Sequence, residues 1–195
     1  MGGGANPTVA LRTALVDGGA SGIGEACVWA LAAGGHTVIV ADRNVAAASM
    51  LASEIGDQVW EVDLTDTRRP ETWTGDVDVL VSNSGVRVVC PEKEFPPSDF
   101  PKITALLLDA PLPLMRGAIP NTHDRGFGRI INVSSVRAHC ASQYKAPYVA
   151  AKHGLEGLSR SRPLKAAHTA PHKQLCRPWL REHSPCVRSD SRTNT

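Results

Sequence analysis

The chain has 195 residues, 42% of them hydrophobic, which is enough for one domain with a buried core. Its formal net charge of +2 is too small to indicate nucleic acid or an anionic membrane as the main partner. The apolar runs have the length of strands, far below the roughly 18–20 residues of a membrane-spanning helix, and none resembles a secretory signal. Five irregularly spaced cysteines do not indicate a disulfide framework. We therefore expect a cytoplasmic protein.

Short apolar runs alternate with helix-forming segments along most of the chain. Strands are predicted at residues 13–16, 37–41, 58–62, 77–81 and 129–133. Helices are predicted from Ile23 to the Gly34-Gly35 stop, over residues 45–55 and over residues 148–159. Right-handed crossovers between such strands place helices on both faces of one sheet. The pattern predicts the α/β class, with a Rossmann-type, doubly wound parallel sheet.

The segment between the first predicted strand and the first predicted helix is rich in glycine. A glycine loop at this place lets the backbone approach a pyrophosphate and points a helix N-terminus at its charge. A tight strand-to-helix turn without a ligand is the alternative. The predicted cofactor contacts in the loop are Gly18, Ser21, Gly22, Ile23 and Gly24.

Asp42 ends the second predicted strand about 20 residues after the loop. A carboxylate at this place accepts hydrogen bonds from an adenosine ribose, whereas the neighbouring Arg43 would suit a ribose phosphate. The acid at the strand end repels that phosphate, so NAD is favoured over NADP as the cofactor.

Tyr148 and Lys152 are four residues apart and share one face of a predicted helix. A phenol has a reference pKa of about 10, and a nearby ammonium lowers it, which makes Tyr148 a usable general base. Ser135, at the end of the fifth predicted strand, would hydrogen-bond the substrate oxygen. We predict these three as catalytic residues, with Tyr148 and Lys152 also contacting the cofactor. An ordinary helix pair is the alternative for any isolated Tyr-x-x-x-Lys.

Several motifs together resemble the short-chain dehydrogenase/reductase family over residues 10–160. They are Asp17-Gly18-x-x-x-Gly22-x-Gly24, Asp63-Leu64, Ser82-Asn83-Ser84-Gly85 and Ser135 with Tyr148-x-x-x-Lys152. The resemblance implies that Asp63 and Leu64 contact adenine, and that Asn83 and Gly85 belong to the cofactor site. Two positions depart from the family, since Asp17 replaces a threonine and Leu107 aligns with an asparagine that holds a relay water. The second change puts turnover in doubt more than cofactor binding.

Within that family the chain is similar to D-3-hydroxybutyrate dehydrogenases. The resemblance implies that Lys145 binds the substrate carboxylate, and that Arg87 and Arg137 stand where those enzymes have glutamine and histidine. It implies interconversion of 3-hydroxybutyrate and acetoacetate with NAD, in a homo-oligomer if the chain is intact. Another short hydroxy acid, or a catalytically inactive cofactor-binding remnant, remains open.

Residues 161–195 hold seven Lys/Arg, two acids and four prolines, without apolar periodicity. We expect an NAD-binding domain over residues 1–160 and a disordered or non-native tail over 161–195, so that the sheet lacks its C-terminal strands. One reverse translation of residues 172–185, shifted by one base, reads Thr-Ser-Asn-Cys-Val-Asp-Pro-Gly-Tyr-Val-Asn-Thr-Pro, like the family's next segment. A reading-frame error is therefore our hypothesis for the tail. His/Cys pairs such as His183 and Cys186 lack a strong zinc spacing, and no metal site is expected.

Overall fold

A parallel sheet forms the centre of the molecule. The computed structural model describes residues 11–66, 75–140 and 142–161, and the backbone of residues 172–176. The strands are β1 Thr13–Asp17, β2 Thr37–Asp42, β3 Gln58–Glu61, β4 Val79–Ser82, β5 Arg129–Val133 and β6 His172–Cys176. Their order is β3-β2-β1-β4-β5-β6, and every neighbouring pair is parallel. The Rossmann-type fold class predicted from the sequence is confirmed.

Helices cover both faces of this sheet. They are α1 Gly22–Ala33, α2 Val45–Ile55, α3 Asp99–Thr104, α4 Pro111–Asp124 and α5 Ala146–Arg160. Ala14 and Val16 of β1 pack in the core on one face, whereas Leu15 between them packs in the core on the other. Because side chains alternate across a strand, this pattern requires apolar layers on both sides of β1.

The sequence pattern did not predict a helix in the segment from Asp99 to Asp124. Four prolines weaken its helical pattern, but Pro111 and Pro113 lie in the first turn of α4, where a missing N–H costs little. Between α3 and α4 the turn Ala105–Asp109 is π-helical, and Ala110 N–H donates to the Ala105 carbonyl at 2.8 Å. Leu107 lies in this π turn, which is a common feature of functional sites.

The sheet extends one strand further than the sequence predicted. We expected residues 161–195 to leave the edge of strand five partly open. Instead, His172–Cys176 pairs with β5 in parallel, with residue 129 opposite 172 and residue 133 opposite 176. Backbone hydrogen bonds do not depend on side-chain pattern, so a segment without apolar periodicity still forms a strand there. The remainder of the predicted tail, residues 162–171 and 177–195, lies outside the described residues.

The helices of the described part of the chain are short or polar. None combines the length and the apolar character that crossing a membrane requires.

Candidate active site

The carboxyl ends of the parallel strands bring the predicted site residues to one edge of the sheet. Asp17 ends β1, Asp42 ends β2 and Ser82 ends β4, while Ser134 and Ser135 directly follow β5. Ligands of open α/β sheets bind at this edge, where neighbouring loops separate.

The glycine loop depends on close backbone contacts. Gly18 has φ of 61°, and a Cβ added there would lie 2.9 Å from the Cα of Ser84. A Cβ on Gly24 would overlap the carbonyl oxygen of Gly18 and lie 2.6 Å from the Nδ2 of Asn83. Only glycine therefore fits both places without a shift of the backbone.

Asp42 connects the glycine loop to the second strand. Its Oδ2 accepts from Ala20 N–H at 3.1 Å, and its Oδ1 accepts from Asn44 N–H at 2.9 Å. The carboxylate that was predicted to bind a ribose thus also fixes the shape of the loop.

A cleft of about 510 Å³ runs along the strand ends between the glycine loop and the segments after β3 and β4. The predicted cofactor residues that line it are Gly18, Ser21, Ile23, Asp42, Asp63, Leu64, Asn83 and Gly85. A Cβ on Gly22 would meet no atom within 4 Å, so the start of α1 faces open space. The exposed glycine backbone, the helix N-terminus and the acid at the end of β2 fit a dinucleotide.

Asp63 and Leu64 form the far wall of this cleft. The backbone N–H and the hydroxyl of Thr65 donate to Asp63 Oδ1 at 2.9 and 2.8 Å, and they hold the pKa of Asp63 below its usual range. The side chain of Leu64 is buried and forms an apolar part of this wall beside the carboxylate.

A second cleft of about 410 Å³ holds the predicted catalytic residues. Ser135, Tyr148 and Lys152 line it together, as the sequence predicted. Ile23, Asn83, Gly85 and Val86 line both clefts, so the two are continuous. One extended ligand can therefore reach from the end of β2 to Tyr148.

The ammonium of Lys152 is held by a backbone carbonyl at the end of β5. Its Nζ donates to the carbonyl of Val133 at 2.7 Å and lies 5.9 Å from the centroid of the Tyr148 ring. Burial lowers the pKa of Lys152 to about 8, and the carboxylate of Asp17 opposes that fall. The Lys152 ammonium is thus a buried group beside the ring of Tyr148.

Ser135 is buried, and its Oγ accepts from the backbone N–H of Arg137 at 3.2 Å. This bond uses a lone pair and leaves the hydroxyl hydrogen able to donate to a substrate oxygen.

Of the four predicted substrate residues, Ser135 and Arg87 line one cleft, and the three cationic residues do not lie together. Arg87 lines the cleft with Tyr148, whereas Lys145 and Arg137 are not among its lining residues. The guanidinium of Arg137 is directed to the Cys140 sulfur at 4.0 Å, and Lys145 precedes the first turn of α5.

Two contacts were missed by sequence reasoning. Glu156 of α5 is buried, and it binds Nε2 of His139 at 2.6 Å, which joins the loop after Ser135 to the helix of Tyr148. Asp17 is buried where the family has threonine, and its Oδ1 accepts from the N–H groups of Asn83 and Ser84. The departure at Asp17 was a signal of its role, but a sequence gives no sign of the pair between Glu156 and His139.

Leu107 occupies the place of the family asparagine and is buried. A methyl of Leu107 would lie 3.4 Å from a Cβ on Gly85. Its side chain offers no hydrogen bond to the groups around Lys152.

Among the described residues no group of three or more His, Cys, Asp or Glu could hold a metal ion. His183 and Cys186, the tail pair weighed from the sequence, lie outside the described residues.

The sequence model of a family described as "short chain dehydrogenase" matches residues 12–170. The chain belongs to this family. As a short-chain dehydrogenase it is an oxidoreductase that uses a nicotinamide cofactor and acts on a small molecule. The resemblance identified from the sequence motifs is confirmed.

Characterised relatives agree with the narrower resemblance. D-beta-hydroxybutyrate dehydrogenase of Cupriavidus necator is 34% identical, over 87% of this chain and 70% of the relative. The enzyme of the same name from Rhizobium meliloti is 33% identical, over 81% of this chain and 67% of the relative. This short-chain dehydrogenase is thus similar to D-beta-hydroxybutyrate dehydrogenases, as the sequence indicated.

Solved structures give the same architecture. A putative NAD(P)-dependent gluconate 5-dehydrogenase from Beutenbergia cavernae, with NADP bound at low occupancy, aligns with a TM-score of 0.81 and 28% identity, over 89% of this chain and 74% of that one. A gluconate 5-dehydrogenase from Burkholderia cenocepacia, in complex with NADP and tartrate, aligns with a TM-score of 0.77 and 26% identity, over 86% and 70%.

Proposed function

We propose that this short-chain dehydrogenase interconverts 3-hydroxybutyrate and acetoacetate with NAD. The observation that carries the proposal is that Ser135, Tyr148 and Lys152 line one cleft that is continuous with the dinucleotide-sized cleft. An isolated Tyr-x-x-x-Lys pair has no reason to lie beside a buried serine and a glycine loop, so the common location favours catalysis.

A nicotinamide cofactor, when bound, supplies the acceptor for the hydride of the alcohol carbon. Tyr148 accepts the hydroxyl proton as the carbonyl forms. Ser135 donates a hydrogen bond to the same oxygen and holds it beside the phenol. Lys152, fixed by its bond to the Val133 carbonyl, keeps a positive charge near the phenolate. In the reverse direction Tyr148 returns the proton to the reduced oxygen.

The preference for NAD rests on Asp42. Its carboxylate ends β2 beside the cleft, and an anion there repels a phosphate on the adenosine ribose. Both of its oxygens hold backbone N–H groups, which fixes the charge in place. Arg43 also lines the cleft and would suit NADP, the cofactor bound in the two related structures. The ratio of kcat/KM for the two cofactors decides between them.

The test of the function is NADH formation from D-3-hydroxybutyrate, beside its L enantiomer and gluconate. We expect turnover with the D enantiomer and with NAD in preference to NADP. Turnover with gluconate alone would assign a different hydroxy acid. NAD binding by calorimetry without NADH formation from any of these would refute the enzymatic proposal.

Binding without turnover is the second candidate function, and Leu107 favours it. The family uses an asparagine at this place to hold a water in its proton relay, and a buried leucine cannot do so. The chain would then be a cofactor-binding protein without dehydrogenase activity.

We propose Arg87 as the cation that binds the substrate carboxylate, and its position in the lining of the cleft with Ser135 and Tyr148 supports this. We expect Arg87→Ala to raise KM for 3-hydroxybutyrate about 10- to 100-fold, because a hydrogen bond to a charged group contributes about 1.5–3 kcal/mol. The matched control is Lys145→Ala, for which we expect a smaller change. A neutral secondary alcohol should be oxidised equally well by both variants. An unchanged KM in Arg87→Ala, with a large rise in Lys145→Ala, would contradict this assignment.

A further inference from the structure

Asp17 is a buried acid that the mechanism above does not use. Its side chain is 2% exposed at the carboxyl end of β1, and its Oδ1 accepts from Asn83 N–H at 3.0 Å and from Ser84 N–H. Those bonds join the end of β1 to the loop after β4. A neutral acceptor such as an amide or a hydroxyl makes the same bonds, so the negative charge is not needed for them.

Lys152 is the cation that shares a cavity with this carboxylate. Both side chains line one small cavity between β1, β4, α5 and the π turn, together with Ser82, Ser84 and Leu107. Lys152 is 5% exposed. Opposite charges that are both removed from water interact strongly, because neither is screened by solvent.

Other titratable groups near the Lys152 ammonium lie on the elements that surround it. The phenol of Tyr148 and the buried carboxylate of Glu156 are on the same helix, one turn before and one turn after Lys152, and Glu156 is bound to His139 and Arg160. Arg87 lines the neighbouring cleft from the loop after β4. From the π turn the cavity receives only apolar side chains, including Leu107. Among the described residues at this cavity, Asp17 is the acid.

Burial has the largest effect on the electrostatics of both groups. Burial alone disfavours the charged form of each partner, and it raises the pKa of Asp17 while it lowers that of Lys152 to about 8. Hydrogen bonds from Ser84 and Asn83 favour the Asp17 carboxylate, and that carboxylate in turn favours the ammonium of Lys152.

We propose that Asp17 is a positioning residue that acts through Lys152, by keeping its ammonium protonated at the pH at which Tyr148 accepts the alcohol proton. This inference rests on the proposed function. It also gives the replacement of threonine by aspartate a role that is specific to this chain, beside a π turn whose Leu107 supplies no polar group.

The experiment measures the titration of Lys152 directly, by NMR of protein labelled at the lysine Cε. The signal of Lys152 is assigned by its loss in Lys152→Met. In Asp17→Asn, which keeps the shape and the Oδ1 acceptor, we expect the Lys152 midpoint to fall by about one pH unit. Asp17→Thr, which keeps a hydroxyl acceptor, should show the same fall and serves if the asparagine variant does not fold.

The matched control is Asp78→Asn. Asp78 is also a buried carboxylate that binds a backbone N–H, that of Thr13 at 3.0 Å, but it lies at the opposite end of β1 and β4. We expect no change of the Lys152 midpoint there. A midpoint that stays constant in both Asp17 variants, or that falls equally in Asp78→Asn, would overturn the proposal.

Turnover gives the second readout. In the active enzyme the alkaline limb of kcat/KM reports the loss of the Lys152 proton, so in Asp17→Asn this limb should move to lower pH by the same amount as the NMR midpoint. A merely structural role would lower activity at every pH without moving the limb, and would contradict the proposal. If the unmodified chain forms no NADH, the proposed function fails, and the NMR midpoint alone then decides whether Asp17 holds the charge of Lys152.

Discussion

Replacing Tyr148 by phenylalanine should lower kcat for 3-hydroxybutyrate oxidation by roughly 10²- to 10⁴-fold, the usual contribution of a positioned general base. The ring remains and only the hydroxyl is lost, so NAD binding should be retained. Steady-state NADH formation measures the first effect, and calorimetric titration with NAD measures the second. Loss of both together would instead indicate damage to the cofactor cleft.

Tyr144→Phe is the control for this variant, because Tyr144 is the other tyrosine of the chain and is exposed. Its carbonyl accepts from Cys90 N–H, a bond that phenylalanine keeps. We expect kcat of this variant to remain close to that of the unmodified chain. If Tyr148→Phe also kept most of its kcat, Tyr148 would not be the base.

A large loss of stability and of cofactor binding is expected from Gly24→Ala. The new Cβ would overlap the carbonyl oxygen of Gly18, and since that atom belongs to the backbone, the glycine loop itself must move. We expect a loss of roughly 1–3 kcal/mol in the free energy of unfolding, the usual cost of overpacking, and a clearly weakened affinity for NAD. Urea denaturation and calorimetry provide the two measurements.

Gly157→Ala separates this steric effect from helix propensity. Gly157 also lies in a helix, and a Cβ there would meet no atom within 4 Å. Alanine should raise the free energy of unfolding by up to about 1 kcal/mol, because glycine is the poorer helix former. Equal stability of Gly24→Ala and Gly157→Ala would mean that Gly18 and Gly24 do not pack as described.

The sequence was most informative where a local pattern coincides with a buried element. The strand at residues 129–133 and the helix at 45–55 have the predicted bounds, because β-branched runs and a glycine stop are local signals. The helix Pro111–Asp124 was missed, since prolines in its first turn mimic a loop. The strand His172–Cys176 was missed because its pairing is made by backbone groups.

In the candidate site, too, local sequence patterns predicted some features and missed those that depend on tertiary contacts. Spacing and strand ends predicted that Ser135, Tyr148 and Lys152 would meet, and they line one cleft. The direction of a loop side chain depends on tertiary contacts, so the sequence did not distinguish Arg87 from Lys145 as the cation of the cleft. It also did not indicate that Asp17 and Lys152 share a cavity, because they are distant in the chain and come together only in the folded protein.

The two hydrogen bonds of Asp42 restrict how this protein can change its coenzyme. Removing the acid admits a ribose phosphate, but it also leaves the N–H groups of Ala20 and Asn44 without their acceptor, so the loop that receives the pyrophosphate loses its anchor. Asparagine keeps an acceptor for only one of the two. A change of cofactor preference from NAD to NADP therefore requires substitutions in the turn after β2 as well as at position 42. A single substitution at position 42 would change the cofactor selectivity but would also disorder the glycine loop.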